Sequence, residues 1–208
     1  MQKRIDPTLS HKHRKRSVQL VAEATLPSRF GDFRIAAFEA TGDEDHAAVI
    51  KGDIAGKTGV PVRLHSECFT GDVMGSLRCD CRDQLEAALV YVGEQEYGAV
   101  LYLHQEGRGI GLANKIRAYA LQDDGMDTVE ANLALGFHDD ERDYEVAAMM
   151  LKALGVVSVK LLTNNPSKIK GLEHYGIQVE ERVPLAIAPN VHNVDYLRTK
   201  KLKSGHLL

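Results

Sequence analysis

Ala99-Val100-Leu101-Tyr102-Leu103, then Gln105-Glu106-Gly107-Arg108-Gly109-Ile110-Gly111, then Leu112–Gln122: this run sets the architecture. Five residues of mostly apolar character read as a short buried strand, the glycines interrupt it, and helical periodicity follows up to a stop at Gly125. Strand, glycine turn and helix in succession are the unit of an α/β sheet. The alternation continues downstream. Asp143–Leu154 reads as a helix with Ala147, Met150, Leu151 and Leu154 on one face and Gly155 as its stop. Ser158–Leu162 is then a strand, Pro166–Tyr175 a helix and Ile177–Val183 a strand, with a short helix and polar tail running to Leu208. Upstream the pattern is β. Gln19–Thr25 and Phe33–Glu39 form a hairpin around Pro27 and Gly31, and His46–Gly52 and Val60–Glu67 add two strands separated by Gly56-Lys57-Thr58-Gly59. A helix through Gln84, Leu85, Ala88, Leu89 and Val92 follows, with Asp83 as its expected cap. The expected fold is α/β, a single domain with a mixed sheet, flanking helices and a β-rich N-terminal layer, open or barrel-like.

At 208 residues, 44% apolar and 26% charged, the chain is long enough to bury about 70% of its unfolded surface without staples. Three cysteines cannot all pair within one chain, which argues against a secreted disulfide framework. The longest apolar stretch, Ala147 to Val157, is broken by Lys152, so no membrane span is expected. The N-terminus lacks a signal-peptide core, which places the protein in the cytoplasm. The net charge of −3 conceals an asymmetry: residues 1–17 hold six Lys and Arg and one acid, leaving 20 bases against 28 acids in residues 18–208. An acidic body with a short basic arm does not read as a nucleic-acid-binding domain. Residues 1–17 are taken as a basic flexible arm, either a solvated tail or a contact for a polyanion.

All three cysteines lie within 14 positions, Cys68, Cys79 and Cys81. Thiolates favour zinc, and three protein ligands with the fourth position open are the mark of a catalytic site. His65, three residues before Cys68, is a possible fourth ligand. Such a site lowers the pKa of water from about 15.7 to about 7. Nucleobase deaminases use zinc in this way but carry H-x-E and P-C-x-x-C patterns, which are absent here. The plainer alternative is three reduced, buried thiols.

Three segments could meet an anion, and each has a structural reading beside the functional one. Gly107, Gly109 and Gly111 open backbone N–H groups toward a helix N-terminus, or simply make a tight turn. Thr163-Asn164-Asn165-Pro166-Ser167-Lys168 is a capped helix start, with Lys168 either exposed or set against a phosphate. Asp139-Asp140-Glu141-Arg142-Asp143 is either an acidic helix start or a frame holding Arg142 as a fixed cation.

Taken together, these segments resemble GTP cyclohydrolase II. The resemblance is carried by Arg63-Leu64-His65-Ser66-Glu67-Cys68-Phe69-Thr70-Gly71-Asp72, Ser76-Leu77-Arg78-Cys79-Asp80-Cys81, Gln105 through Leu112, Asn114-Lys115-Ile116-Arg117-Ala118-Tyr119, Asp127-Thr128-Val129-Glu130-Ala131-Asn132 and Leu161-Leu162-Thr163-Asn164-Asn165-Pro166. It spans roughly residues 18 to 208, in order. It implies an enzyme of riboflavin biosynthesis that opens the imidazole ring of GTP, releases C8 as formate and cleaves off pyrophosphate, giving 2,5-diamino-6-(5-phosphoribosylamino)pyrimidin-4(3H)-one. It also implies zinc and magnesium as cofactors, a homodimer, and a form without the dihydroxybutanone-phosphate synthase domain to which many relatives are fused.

By the same resemblance Cys68, Cys79 and Cys81 are zinc ligands. Arg63, Leu64, His65, Ser66, Glu67, Gln84, Glu106, Gly107, Arg108, Thr128, Thr163 and Lys168 contact GTP. Asp140 matches a proton acceptor, Arg142 a residue proposed to attack the α-phosphate, and Tyr119 a tyrosine beside the zinc and the base. Glu106 or Gln84 suits the donor edge of guanine, and Arg108 and Lys168 suit phosphates. An arginine nucleophile would have to lose a proton from a group whose pKa exceeds about 12, so charge stabilisation stands beside attack as its role. Some relatives lacking an aromatic residue at the Tyr119 position stop at the formamidopyrimidine. That product, or a non-catalytic zinc and nucleotide sensor, is the alternative function.

Overall fold

The structure is a computed structural model that describes residues 16–41, 45–185, 187–203 and 205–207. Residues 1–15, most of the basic arm, lie outside the described residues. Arg16, its last base, pairs with Asp143 and, at 3.7 Å, with Glu145.

Among the described residues, seven strands form one mixed sheet: β1 (Val18–Ser28), β2 (Gly31–Ala40), β3 (His46–Lys51), β4 (Val60–Ser66), β5 (Gly98–Leu103), β6 (Ser158–Leu162) and β7 (Gln178–Val183). Their order is β1-β2-β3-β5-β4-β6-β7. The first three strands and β5 pair antiparallel, whereas β5, β4, β6 and β7 run parallel. Of the β-rich N-terminal third, β1, β2 and β3 are therefore the antiparallel wing of the common sheet, which does not close into a barrel, while β4 lies among its parallel strands. The hairpin turns at Gly31, where φ is +131°, a value that favours glycine.

Among the described residues, six α-helices connect or flank the strands: α1 (Cys81–Gly93), α2 (Gly111–Asp123), α3 (Thr128–Ala134), α4 (Glu145–Ala153), α5 (Pro166–His174) and α6 (Val194–Leu202). One face of the sheet packs Phe38, Ile50, Leu64 and Leu101 against Met150 and Leu151 of α4 and Leu172 of α5. The other packs Phe33, Val100 and Leu162 against Ala88 and Val92 of α1. The apolar face expected of α4 is confirmed, since Ala147, Met150 and Leu151 are fully buried.

Two features differ from expectation. α1 begins at Cys81, three residues before Gln84, so Asp83 lies inside its first turn; Asp80 holds the cap position but makes no side-chain capping bond. The short helix α3 was not anticipated, yet Asp127 and Glu130 close a reciprocal capping box at its start.

Candidate active site

A cleft opens just past the carboxyl ends of β4, β5 and β6, the edge where open α/β sheets collect ligands. Alternation along β4 supplies its floor. Val62 and Leu64 enter the core, while Arg63 and His65 point to the opposite face. The Leu64 side chain is fully buried, and its backbone carbonyl accepts from Lys168 Nζ at 2.7 Å.

One end of the cleft holds the thiols. The three sulfurs lie within 4.8 Å of one another, Cys68 and Cys79 at 3.7 Å, and none is in a disulfide. Cys68 is held by one wide helical turn, Phe69–Val73, whose Asp72 accepts from the Cys68 amide at 3.0 Å. Asp72 also accepts from Tyr102 Oη at 2.9 Å and meets His65 Nε2 at 3.0 Å. The idea of His65 as a fourth metal ligand is therefore overturned: its ring faces Asp72 and stacks on Tyr102, with centroids 5.5 Å apart. Burial, only partly offset by Asp72, pulls the His65 pKa below its ordinary value.

The donor set fits zinc, three soft sulfurs with no fourth protein ligand grouped with them among the described residues. The space around them is equally specific. A Cβ on Gly71 would stand 2.8 Å from Cys79 Sγ and 3.0 Å from Cys68 Sγ, so only glycine leaves the sulfurs free to converge. Lys115 on α2 approaches from the side, its Nζ 3.0 Å from Cys68 Sγ and 2.7 Å from Glu106 Oε1.

Glu106 starts the glycine turn. Its carboxylate accepts from the Phe69 amide at 2.6 Å, the Gly107 amide at 2.7 Å and Lys115. A carboxylate offers about four lone-pair sites, so roughly one stays open to a ligand. Gln84 is more fully engaged, accepting from Arg63 at 2.5 Å and donating to Asp80 at 2.5 Å. Arg108 adopts φ +61° in this turn and pairs with Asp139. Tyr119 Oη lies 3.3 Å from Thr70 Oγ1, and the Arg78 guanidinium sits 5.0 Å above its ring. Burial, partly countered by Thr70, pushes the Tyr119 pKa up to about 12.

The other end is cationic. Arg63, Arg108, Arg142 and Lys168 converge there, with Ser66, Glu67, Thr128 and Thr163 in the walls. Lys168 is not an exposed lysine on a capped helix. The cap is real, Asn165 Oδ1 accepting from the Ser167 amide at 2.9 Å, but Lys168 is 5% exposed and turned inward. Burial first, then Arg63, Arg142 and Lys200, press its pKa well below the ordinary lysine value. Arg63 is lowered to about 10 by burial, against the pull of Asp80, and its Nε has no hydrogen-bond partner among the described residues. A buried donor left open beside a cleft points to a ligand atom or water.

Asp140 does not line the cleft; it stands behind Arg142, both oxygens committed to the guanidinium. Burial opposes the Arg142 charge, but Tyr144 and Asp140 more than offset it and raise its pKa. Of the site residues named from sequence, all but Leu64 and Asp140 border this one cleft. Sequence reading missed Lys115 and, on α6, Tyr196 and Lys200. Thiols, carboxylates and buried cations gathered past the ends of parallel strands are the equipment of an enzyme for an anionic substrate.

Comparison with known proteins agrees. Residues 19–184 match the GTP cyclohydrolase II family. The chain is 53% identical over 190 residues to GTP cyclohydrolase-2 of Picrophilus torridus, covering 91% of this chain and 99% of that protein. It is 59% identical over 190 residues to GTP cyclohydrolase-2 of Salmonella typhimurium, covering 90% and 96%. It is also 56% identical over 200 residues to the riboflavin biosynthesis protein RibBA of Endomicrobium trichonymphae, covering 94% of this chain but 50% of that protein. The chain belongs to the GTP cyclohydrolase II family.

Proposed function

We propose that this protein hydrolyses GTP as a step of riboflavin biosynthesis, opening the imidazole ring and releasing formate and pyrophosphate. The observation that carries the reading is the cleft itself, with a three-thiol cluster at one end and buried cations at the other. Cys68, Cys79 and Cys81 would hold zinc, which when bound acidifies water and polarises a carbon electrophile.

The chain's own groups divide the remaining work. Tyr119, with its pKa raised to about 12, keeps its phenolic proton near neutrality and can lend it to a ring nitrogen. Its presence favours complete deformylation over a formamidopyrimidine product. Glu106 keeps an acceptor for the guanine edge. Arg108 and Lys168 hold phosphate, and the open Nε of Arg63 adds a donor. Asp140 orients Arg142 as a permanently charged fork for the developing phosphoryl charge, because a guanidinium so paired is a poor nucleophile. Magnesium at the phosphates, a homodimer and a cytoplasmic location complete the proposal, with no nucleic-acid or membrane partner.

Incubation of the purified protein with GTP, zinc and magnesium, followed by mass spectrometry, tests this. The pyrimidine product with free formate and pyrophosphate is expected. A product heavier by one CO unit indicates retention of the formyl group, and binding without turnover indicates a sensor; either result overturns the proposal.

A further inference from the structure

Lys200 is a buried charge that the reaction outlined above does not use. It sits on α6, beyond the residues matched to the family, and is 8% exposed. Its Nζ lies 2.8 Å from Asp80 Oδ1, and Asp80, 1% exposed, is the residue between Cys79 and Cys81. The other Asp80 oxygen accepts from Gln84 Nε2, and Gln84 in turn accepts from Arg63. One ammonium thus closes a chain of contacts from the thiol loop to the floor of the cleft.

Besides a ring of its own that backs the ammonium, the helix carrying it is fastened at two further places. Tyr196 lies beneath the same ammonium, its ring centre 4.4 Å away. Lys203 pairs with Asp127 and, at 3.4 Å, with Glu130 at the start of α3. Past the helix, the Leu207 amide donates to the Asn164 carbonyl at 2.8 Å. A buried carboxylate next to thiolates needs a partner of opposite charge, because like charges and desolvation both act against it.

We propose that Lys200 is a positioning residue: through Asp80 it holds the Cys79–Cys81 loop in its metal-binding shape, making the C-terminal helix part of the active centre. The proposal rests on zinc binding at the three cysteines. Lys200 acts on the loop and not on the triphosphate.

The test compares the wild-type chain with Lys200→Met, which keeps the aliphatic stem, Lys200→Arg, which keeps the charge, Asp80→Asn, and the double variant Lys200→Met with Asp80→Asn. Zinc affinity is measured without GTP by competition with a chromophoric chelator, and kcat and KM are measured separately. Lys200→Met is expected to bind zinc about tenfold more weakly, the scale on which outer partners of a metal site act. Its kcat should fall with KM little changed, and Lys200→Arg should recover most of both. The double variant should lose less than the two single losses combined, because the effects of contacting residues do not add. Should Lys200→Met fail to fold, Asp80→Asn answers the same question, with weaker zinc binding expected. Unchanged zinc affinity in the folded variants, or a loss confined to KM and additive in the double variant, overturns the proposal. Absence of zinc binding by the wild-type chain would instead refute the metal-site reading beneath it.

Discussion

Asp140 grips Arg142 as a fork: Nε donates to Oδ1 at 2.7 Å and Nη2 to Oδ2 at 2.5 Å. Planar, two-point pairing fixes the guanidinium in direction as well as in charge. Asp140→Asn keeps the shape but removes the carboxylate charge. It is expected to lower kcat for pyrophosphate release by about 10²-fold, the usual cost of losing one preorganised electrostatic contact. Arg142→Lys should fare no better, since a point charge cannot occupy the fork. Steady-state pyrophosphate assays of both variants check this.

Cys79→Ser removes one of three sulfurs from the cluster. Formate release should fall below detection, while pyrophosphate release, which depends on the cationic end, falls less. Parallel assays of the two products, with zinc content measured on the same sample, show whether the two ends of the cleft separate in this way.

Gly71→Ala tests the tightness of the thiol cradle. Its new Cβ would meet Cys79 Sγ at 2.8 Å, closer than real Cβ contacts come, and Cys68 Sγ at a tight 3.0 Å. Zinc content should drop and formate release with it, while the far-UV circular dichroism stays unchanged. A variant retaining full zinc would mean that the sulfurs need not converge.

Lys168 gives a pH signature. Burial and its cationic neighbours depress its pKa in the free protein, so part of the population is neutral at alkaline pH. A bound polyanion favours the charged form and raises that pKa again. Binding of GTP to zinc-stripped, magnesium-free protein should therefore take up a fraction of a proton at pH values above the range where a terminal phosphate of pKa about 6 still titrates. Calorimetry in buffers of different ionisation enthalpy measures it, and Lys168→Met should diminish the uptake.

Much of this was legible in the residues because it is local. The alternation of β4, the glycines after β5 and the Asn165-Pro166 cap each depend on a few neighbouring positions, and each stands where periodicity placed it. What escaped was long-range. Nothing in the local pattern marks Lys115 or Lys200 as a buried partner of the thiol loop, and the residues they meet, Cys68 and Asp80, lie 47 and 120 residues away. His65 misled for the opposite reason: closeness to Cys68 in sequence suggested a ligand, but the pleat of β4 and the following turn hand its ring to Asp72. The helix α3 was too short for periodicity to reveal, although its capping pair, Asp127 and Glu130, was in view.

Because β4 feeds core and cleft from alternate residues, a mispairing by one position would be ruinous on both sides at once. Arg63 and His65 would be driven into hydrocarbon while Val62 and Leu64 faced the substrate. The ribbon therefore proofreads its own alignment: the slipped arrangement that would be catalytically dead is also the one that cannot fold.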